Sequence, residues 1–353
     1  MRFLLMFILR IILFPITFLM ACVVYTRNWL YDNGVLKITR PDVFTINVGN
    51  LNLGGTGKTP HVEYLVNLLA NRYKSTILSR GYKRQTQGFV LADDTATAKT
   101  IGDEPMQYYL KFKDKIKVVV CEDRVAGVNQ TQAIFPDNEL VILDDAFQHR
   151  KIAPHLNLLL CDYNQPFYAD YLAPYGKLRD IRRSAGRAHA VIVSKCPDDI
   201  SLSVKEELKT GINRYTMAGT PVFFSVIHYR DITPYASGII FSVQKPVTVV
   251  SAIAKPEVFH QYLKKKGYMI DKVMDYPDHF AFSAKEIEQI VDAQNPSQQI
   301  ITTEKDMVKL RPLLNKQKLD RFFYVPIAVS ISDKNHFDKF ILSETTKAIS
   351  KNS

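Results

Sequence analysis

Residues 43–70 leave the chain little freedom in how it folds. An apolar, β-branched run, Val43-Phe44-Thr45-Ile46-Asn47-Val48, enters Gly49-Asn50-Leu51-Asn52-Leu53-Gly54-Gly55-Thr56-Gly57-Lys58-Thr59-Pro60. Apolar residues then recur at helical spacing, at Val62, Leu65, Val66 and Leu69. Strand, glycine-rich loop and helix in that order are the context of a phosphate-binding loop. Glycines at 54, 55 and 57 admit positive φ and let backbone N–H groups approach an anion. The helix N-terminus behind them adds partial positive charge. Lys58 supplies a full charge to β/γ-phosphates, the Thr59 hydroxyl suits Mg²⁺, and Pro60 sits in the first turn, where a missing N–H costs least. The nucleotide is thus expected on Asn52, Leu53, Gly54, Gly55, Thr56, Gly57, Lys58 and Thr59. A strict phosphate-loop pattern has glycine at position 52; Asn52 stands there, and asparagine also tolerates the left-handed region. The competing reading is a glycine-rich turn without nucleotide, against which strand, loop, Lys-Thr pair and helix agree.

Further apolar runs end in polar residues, as strands do at the ligand edge of an α/β sheet. Ser75-Thr76-Ile77-Leu78 leads to Arg80, Lys83 and Arg84, placed for phosphates or forming a solvated basic loop. Val118-Val119-Val120-Cys121 leads to Glu122-Asp123-Arg124. Leu140-Val141-Ile142-Leu143 ends in Asp144-Asp145, the Mg²⁺-side partner of a phosphate loop, or a turn pair. Gln148 and His149 follow, either to orient a substrate or as ordinary loop residues. Gly102-Asp103-Glu104-Pro105 opens a helix, where carboxylates serve as caps or face the phosphate site. Residues 156–162 and 190–195 read as two more buried strands, separated by the basic stretch Ala173–Arg183. Continuous apolar strands alternating with helical segments predict an α/β, mostly parallel sheet covered on both faces. A short β linker is expected at 221–245 and a smaller α/β unit at 246–353, after a membrane-associated helix at 1–30 and a phosphate-loop domain at 31–220. One last β-rich stretch is expected at 322–332, with a frayed polar end.

Residues 1–24, MRFLLMFILRIILFPITFLMACVV, are the most apolar part. A secretory signal is disfavoured, because no small-x-small site follows cleanly. A spanning helix has the length, but Arg10 and Pro15 interrupt it. The preferred form lies in one leaflet, with Arg2, Arg10 and Arg27 reaching headgroups; a buried core helix is the remaining reading. The net charge of +11 suits an anionic surface or a phosphorylated substrate, and by itself fits plain solubility equally well. The four cysteines are scattered without a C-x-x-C pair, so zinc is not expected.

The motifs together resemble tetraacyldisaccharide 4′-kinase, the lipid A 4′-kinase family. The resemblance rests on Val48–Pro60, Ser79-Arg80-Gly81-Tyr82, Gly102-Asp103-Glu104-Pro105, Asp144-Asp145-Ala146-Phe147-Gln148-His149 and Thr303-Glu304-Lys305-Asp306. Gly176-Lys177-Leu178-Arg179 and Asp278-His279-Phe280 fit as well. It implies a membrane-associated kinase on the cytoplasmic face of the bacterial inner membrane, with ATP and Mg²⁺ as cofactors. The acceptor would be the 4′-hydroxyl of an acylated glucosamine disaccharide 1-phosphate, and the product lipid IVA. It implies a large phosphate-loop domain and a smaller one joined by a two-stranded linker. Asp103 would be the base, supported by Lys58, and His279 would arrive from the second domain. Thr59, Asp144 and Asp145 would lie near Mg²⁺. Asn50, Arg80, Arg124, Gln148, His149, Arg179 and Asp180 would be candidates for substrate contact. Two positions depart from the family pattern: Asp180 where glutamate is usual, and Ala146 where glycine is frequent.

The rival reading is a membrane-associated phosphate-loop NTPase switch that phosphorylates no lipid. A guanine-reading motif would follow a late strand, yet in Ser194-Lys195-Cys196-Pro197-Asp198 the aspartate falls one place too far. A nucleic-acid partner finds no basic–aromatic motif to support it, a bare scaffold leaves the acidic motifs unexplained, and no obligate protein partner is expected.

Overall fold

A computed structural model describes residues 2–292 and 298–352, with side chains described outside 2–12, 292, 316, 351 and 352. A long helix, α1 (Arg2–Asp32), runs without a break through Pro15. It leads to β1 (Phe44–Asn50), α2 (Lys58–Leu69), β2 (Ser75–Ser79), β3 (Val90–Leu91), α3 (Ala98–Ile101), α4 (Asp103–Phe112) and β4 (Lys117–Val120). Next come α5 (Arg124–Ile134), β5 (Leu140–Asp144), β6 (Leu156–Asp162), β7 (Ala190–Ser194), α6 (Leu202–Asn213) and β8 (Val222–Tyr229). These strands lie in the order β8-β7-β6-β1-β5-β2-β4-β3, parallel except for β3. Strands β1, β5 and β7 are buried at every residue, the signature of a parallel sheet covered on both faces. The phosphate-loop strand β1 is central, with β5 and β6 on either side.

A second sheet has the order β11-β10-β12-β13-β9, from β9 (Thr233–Pro234), β10 (Val247–Ser251), β11 (Ile270–Asp275), β12 (Gln299–Thr303) and β13 (Phe322–Val325). Its helices are α7 (Pro256–Lys265), α8 (Ala284–Asp292), α9 (Glu304–Leu310) and α10 (Lys316–Leu319). The chain then goes back. Strand β14 (Ile327–Ile331) pairs antiparallel with β8 at the edge of the large sheet, and α11 (Lys334–Asn352) packs beside it.

The expected single β stretch at 322–332 is therefore two strands in two sheets, parted at Pro326. The Arg230 N–H donates to the Pro326 carbonyl at 2.8 Å, tying the two crossings together. The stretch expected as linker gives β8 to one sheet and β9 to the other. Helix α11 runs as far as Asn352, and the end expected to fray at Ser353 lies outside the described residues. Phe337, Ile341 and Thr345, four residues apart, form a buried stripe, and Tyr64 of α2 donates to Asp338 at 2.6 Å.

Helix α1 stays largely outside the body. Phe14, Phe18, Leu19, Val23 and Trp29 are all exposed. The headgroup contacts expected of Arg2 and Arg10 lie outside the described side chains. Arg27 turns inward to Asp180 at 3.4 Å. Asp180 is fully buried beneath the helix, accepting from Asn28 Nδ2 and Ser184 Oγ, both at 2.9 Å, and paired with Arg187 at 3.3 Å. A carboxylate so enclosed requires partners, and it finds them at the foot of α1.

Candidate active site

The loop after β1 is held open by side chains that bind its carbonyls. Lys195 Nζ reaches the Gly55 carbonyl and pairs with Asp162 at 2.6 Å. Ser194 Oγ donates to the Thr56 carbonyl at 2.8 Å. His61 Nδ1 lies 2.7 Å from the Gly57 carbonyl, so that nitrogen carries the proton and Nε2 accepts from Ser225 Oγ at 2.9 Å. Burial pushes the His61 imidazole down to about 4 and keeps it neutral. With three successive carbonyls engaged, the N–H face of the loop is left for an anion. Gly57 has φ 86°, and a Cβ there would stand 2.9 Å from Ile227, so glycine is required twice over.

The N-terminal part of the loop behaves differently from expectation. Asn52 is not left-handed. It forms a bridge with Leu178, and its side-chain amide donates to Asp170 at 3.3 Å, away from the glycines. The Leu53 N–H is committed to the Lys177 carbonyl at 2.6 Å. The anion cradle therefore runs from Gly54 to Thr59.

Lys58 Nζ lies 3.5 Å from Asn50 Oδ1 and 3.7 Å from Asp145 Oδ2. Arg179 grips the same carboxylate through both terminal nitrogens and donates to the Asn50 carbonyl at 3.2 Å. Burial alone would raise the Asp145 carboxyl. Lys58, Arg179 and Arg124 outweigh it and hold it at about 2. Its neighbour Asp144 goes the other way, up to about 7, through burial and the charges of Glu104 and Asp145. Ser79 Oγ donates to Asp144 Oδ2 at 3.0 Å, and Oδ1 is buried without a hydrogen-bond partner. Asp145 itself takes the left-handed φ of 54°, while Ala146 has ordinary backbone, so alanine in place of glycine is tolerated.

Several of the other expected residues also have partners within the protein. Arg124 spends its guanidinium on the carbonyls of Cys121, Glu122 and Asp144, at 3.1, 3.0 and 3.4 Å, which fixes the ends of β4 and β5. His149 Nε2 accepts from the Arg124 backbone N–H at 3.3 Å. Gln148 donates to the Asn50 carbonyl at 2.8 Å. Arg80 is exposed at the end of β2, and Arg84 pairs with Glu122 instead of standing free for phosphate. Asp180 belongs to the α1 anchor and is not brought to this site.

Asp103 and Glu104 occupy the first turn of α4, behind Gly102 at φ 97°. Glu104 is the acidic neighbour whose charge reaches Asp144, and both charges act on the buried Tyr108 phenol of the same helix. Burial, then those two charges, raise the phenol well above its ordinary value. Gln107 and Lys111 donate to Glu63 at 2.9 and 2.7 Å, so α4 packs beside α2, the helix that the loop opens. Asp103 Oδ2 meets His279 Nδ1 at 3.3 Å, across from the second sheet, with His279 at φ 61°. Glu104 was legible as one of two adjacent carboxylates; nothing local marked His61 for its part in shaping the loop.

Residues 9–346 match the family described as tetraacyldisaccharide-1-P 4′-kinase. A tetraacyldisaccharide 4′-kinase of Cytophaga hutchinsonii is 41% identical over 330 residues, 92% of this chain and 93% of that one. That of Flavobacterium psychrophilum is 41% identical over 341 residues, 95% and 96% of the two chains. The crystal structure of LpxK from Aquifex aeolicus in complex with ATP matches with a TM-score of 0.76 at 28% identity, covering 96% of this chain and 99% of that one. A match over residues 9–346 and relatives 41% identical along nearly the whole chain show that the chain belongs to the tetraacyldisaccharide-1-P 4′-kinase family.

Proposed function

We propose that this chain, an ATP-dependent 4′-kinase of lipid A biosynthesis, moves the γ-phosphate of ATP to the 4′-hydroxyl of a tetraacylated glucosamine disaccharide 1-phosphate, giving lipid IVA. The observation that carries the assignment of roles is the Asp103–His279 contact at the start of α4, the helix that Gln107 and Lys111 fasten to α2, which begins at Lys58. Asp103 takes the proton of the attacking hydroxyl. His279 holds that carboxylate in place. Lys58 neutralises charge on the transferring group, and the N–H groups of Gly54–Thr59 cradle the β- and γ-phosphates. Arg179 and Asn50 fix Asp145, and Arg124, His149 and Gln148 fix the strand ends around it.

Mg²⁺ fits Asp144, Asp145 and Thr59, with Glu104 alongside. The unpartnered, buried Asp144 Oδ1 is a ready ligand atom. Bound there, Mg²⁺ offsets the charge of the phosphates during transfer.

The apolar exposed face of α1 supports seating in the cytoplasmic leaflet of a bacterial inner membrane, and the two sheets serve as two domains joined through the β8–β14 pair. Flotation of the full chain with anionic vesicles tests the first point. It is expected to fail once Phe14, Phe18 and Leu19 are replaced by serine.

The central test uses detergent-solubilised protein, labelled ATP, Mg²⁺ and the tetraacylated disaccharide 1-phosphate. Label is expected on the lipid, with Asp103→Ala and Lys58→Ala each lowering the rate by ~10²-fold or more. Label released only as free phosphate, at a rate indifferent to lipid, would sink the assignment.

A further inference from the structure

The turn Thr303-Glu304-Lys305-Asp306 opens α9 in the second sheet, and the phosphate site does not account for it. Each of its residues has a partner. Thr303 caps the helix, its hydroxyl accepting from the Asp306 N–H at 3.2 Å. Asp306 is fully buried and accepts from the Ala252 N–H at 2.9 Å, binding α9 to the end of β10. Glu304 accepts from Lys111 Nζ at 2.9 Å and Gln107 Nε2 at 3.2 Å, both on α4. The same two donors reach Glu63 of α2, at 2.7 and 2.9 Å. A buried polar cluster thereby ties α9 to the helix that carries Asp103 and to the helix that carries Lys58.

Lys305 makes the chemically decisive contact. Its Nζ lies 3.1 Å from His279 Nε2 and 3.2 Å from Asp278 Oδ1. An ammonium has donors only, so Nε2 must be the acceptor. A neutral imidazole with an accepting Nε2 carries its proton on Nδ1. That nitrogen faces Asp103 Oδ2 at 3.3 Å, and its N–H donates to the carboxylate. The opposite tautomer would set two donors against each other at Lys305 and a lone pair against the Asp103 carboxylate. Asp278 holds the ammonium as well, and its Oδ2 lies 3.9 Å from His279 Nε2, so the Lys305 charge is kept at the ring.

We infer that Lys305 is a positioning residue for phosphoryl transfer: it selects the Nδ1–H tautomer of His279, while Glu304 sets the register of α9 on α4 that brings this N–H to Asp103. The inference rests on the reading of Asp103 as the base and extends it by one step. On this reading Lys305 acts through His279.

The test uses the full chain in detergent, with ¹⁵N-labelled histidine and His279→Gln to identify the ring signals. In the wild type, Nδ1 is expected as the protonated nitrogen and Nε2 as the unprotonated one. Lys305→Met is expected to lose that preference and to lower kcat about 10- to 100-fold, as removal of an outer partner does. KM for ATP and for lipid should stay within ~2-fold, because ground-state binding is untouched. Lys305→Arg keeps a charged donor and should restore both the tautomer and most of kcat. A wild-type ring protonated on Nε2 overturns the inference, and so does Lys305→Met with normal kcat. Should Lys305→Met not fold, the wild-type tautomer decides. Asp103→Asn in the same assay separates the two claims. If it keeps full turnover the base reading falls and the inference with it; if it loses turnover while Lys305→Met does not, the inference alone falls.

Discussion

The two halves of the site are built by different means. On the large-sheet side, three consecutive loop carbonyls are tied by Lys195, Ser194 and His61, all anchored in that sheet or in α2. Asp145 is gripped by Arg179 and Lys58 and needs nothing from elsewhere. On the small-sheet side, His279 meets Asp103 through part-exposed side chains, at 3.3 Å, across an interface between sheets. The Asp145 cluster is complete on the large-sheet side. The Asp103–His279 contact exists only when the two sheets pack in register. On the roles proposed for these residues, phosphate binding depends on local backbone, and proton transfer on a longer chain of contacts.

That contrast is most directly broken, or upheld, by a pair of substitutions. Asp145→Ala frees Lys58 and Arg179 and removes a proposed metal ligand, so kcat/KM should drop by ~10²–10³-fold, with weaker ATP binding. His279→Ala should lower kcat and leave ATP binding near the wild type, since its partner acts on the acceptor hydroxyl. Steady-state kinetics with titration calorimetry separates the two. If His279→Ala weakened ATP binding as much as Asp145→Ala, the division into a prebuilt half and an assembled half would fail.

The same contrast explains what could be read in advance. Strand β1, its glycines, Lys58 and the Asp144-Asp145 pair were legible because their signal is local: an apolar run, a residue type, a strand end. Asn52 looked like a loop residue by position, but its amide goes to Asp170, 118 residues on. Arg124 looked like a ligand-side cation, but its guanidinium goes to three backbone carbonyls at the ends of β4 and β5, two of them in buried bonds. Asp180 sat in a motif facing the site, yet a strand-like alternation sends it backward: Arg179 points to Asp145 while Asp180 points to the foot of α1. The C-terminal helix hid behind a polar composition, although Phe337 and Ile341 were at helical spacing. Most of all, Glu63, Lys111 and Glu304 carry no mutual signal in sequence, because only the packing of two sheets brings them together.

That cluster offers a graded way to loosen the assembled half alone. Lys111→Met leaves Glu63 and Glu304 facing one another without their shared cation. Breaking a paired buried charge is costly, and partial exposure of Lys111 moderates it, so a loss of about 2 kcal/mol in unfolding free energy is expected. Denaturant unfolding should give this value, and ATP binding should persist in the folded fraction. The cluster also predicts a pH dependence. Glu63 is raised from its ordinary 4.5 to about 7, chiefly by burial and against the pull of Lys111, with Glu304 adding to the rise. The folded state then binds more protons than the unfolded one between those two values. Stability should therefore fall as pH rises from about 4.5 to about 7 and level off above. Glu63→Gln should remove most of that slope, on the order of 2–3 kcal/mol across the window. A slope unchanged in Glu63→Gln would assign the titration elsewhere.

The smallest effect expected concerns a departure from the family pattern. Ala146 follows the left-handed Asp145 and takes ordinary backbone, and its N–H donates to Asn47 Oδ1 at 3.0 Å. The conformational demand in this turn thus falls on the aspartate, which is held left-handed by Arg179 and Lys58. A glycine at 146 would answer no local need. Ala146→Gly should leave kcat and KM unchanged and cost at most about 1 kcal/mol, through added freedom of the unfolded chain. Were Ala146→Gly instead to speed turnover several-fold, the turn would be strained by its side chain, and the large-sheet half would be less prebuilt than its hydrogen bonds indicate. The result matters beyond its size, because it tests the rigid half at a position where no charge is disturbed and only backbone freedom changes.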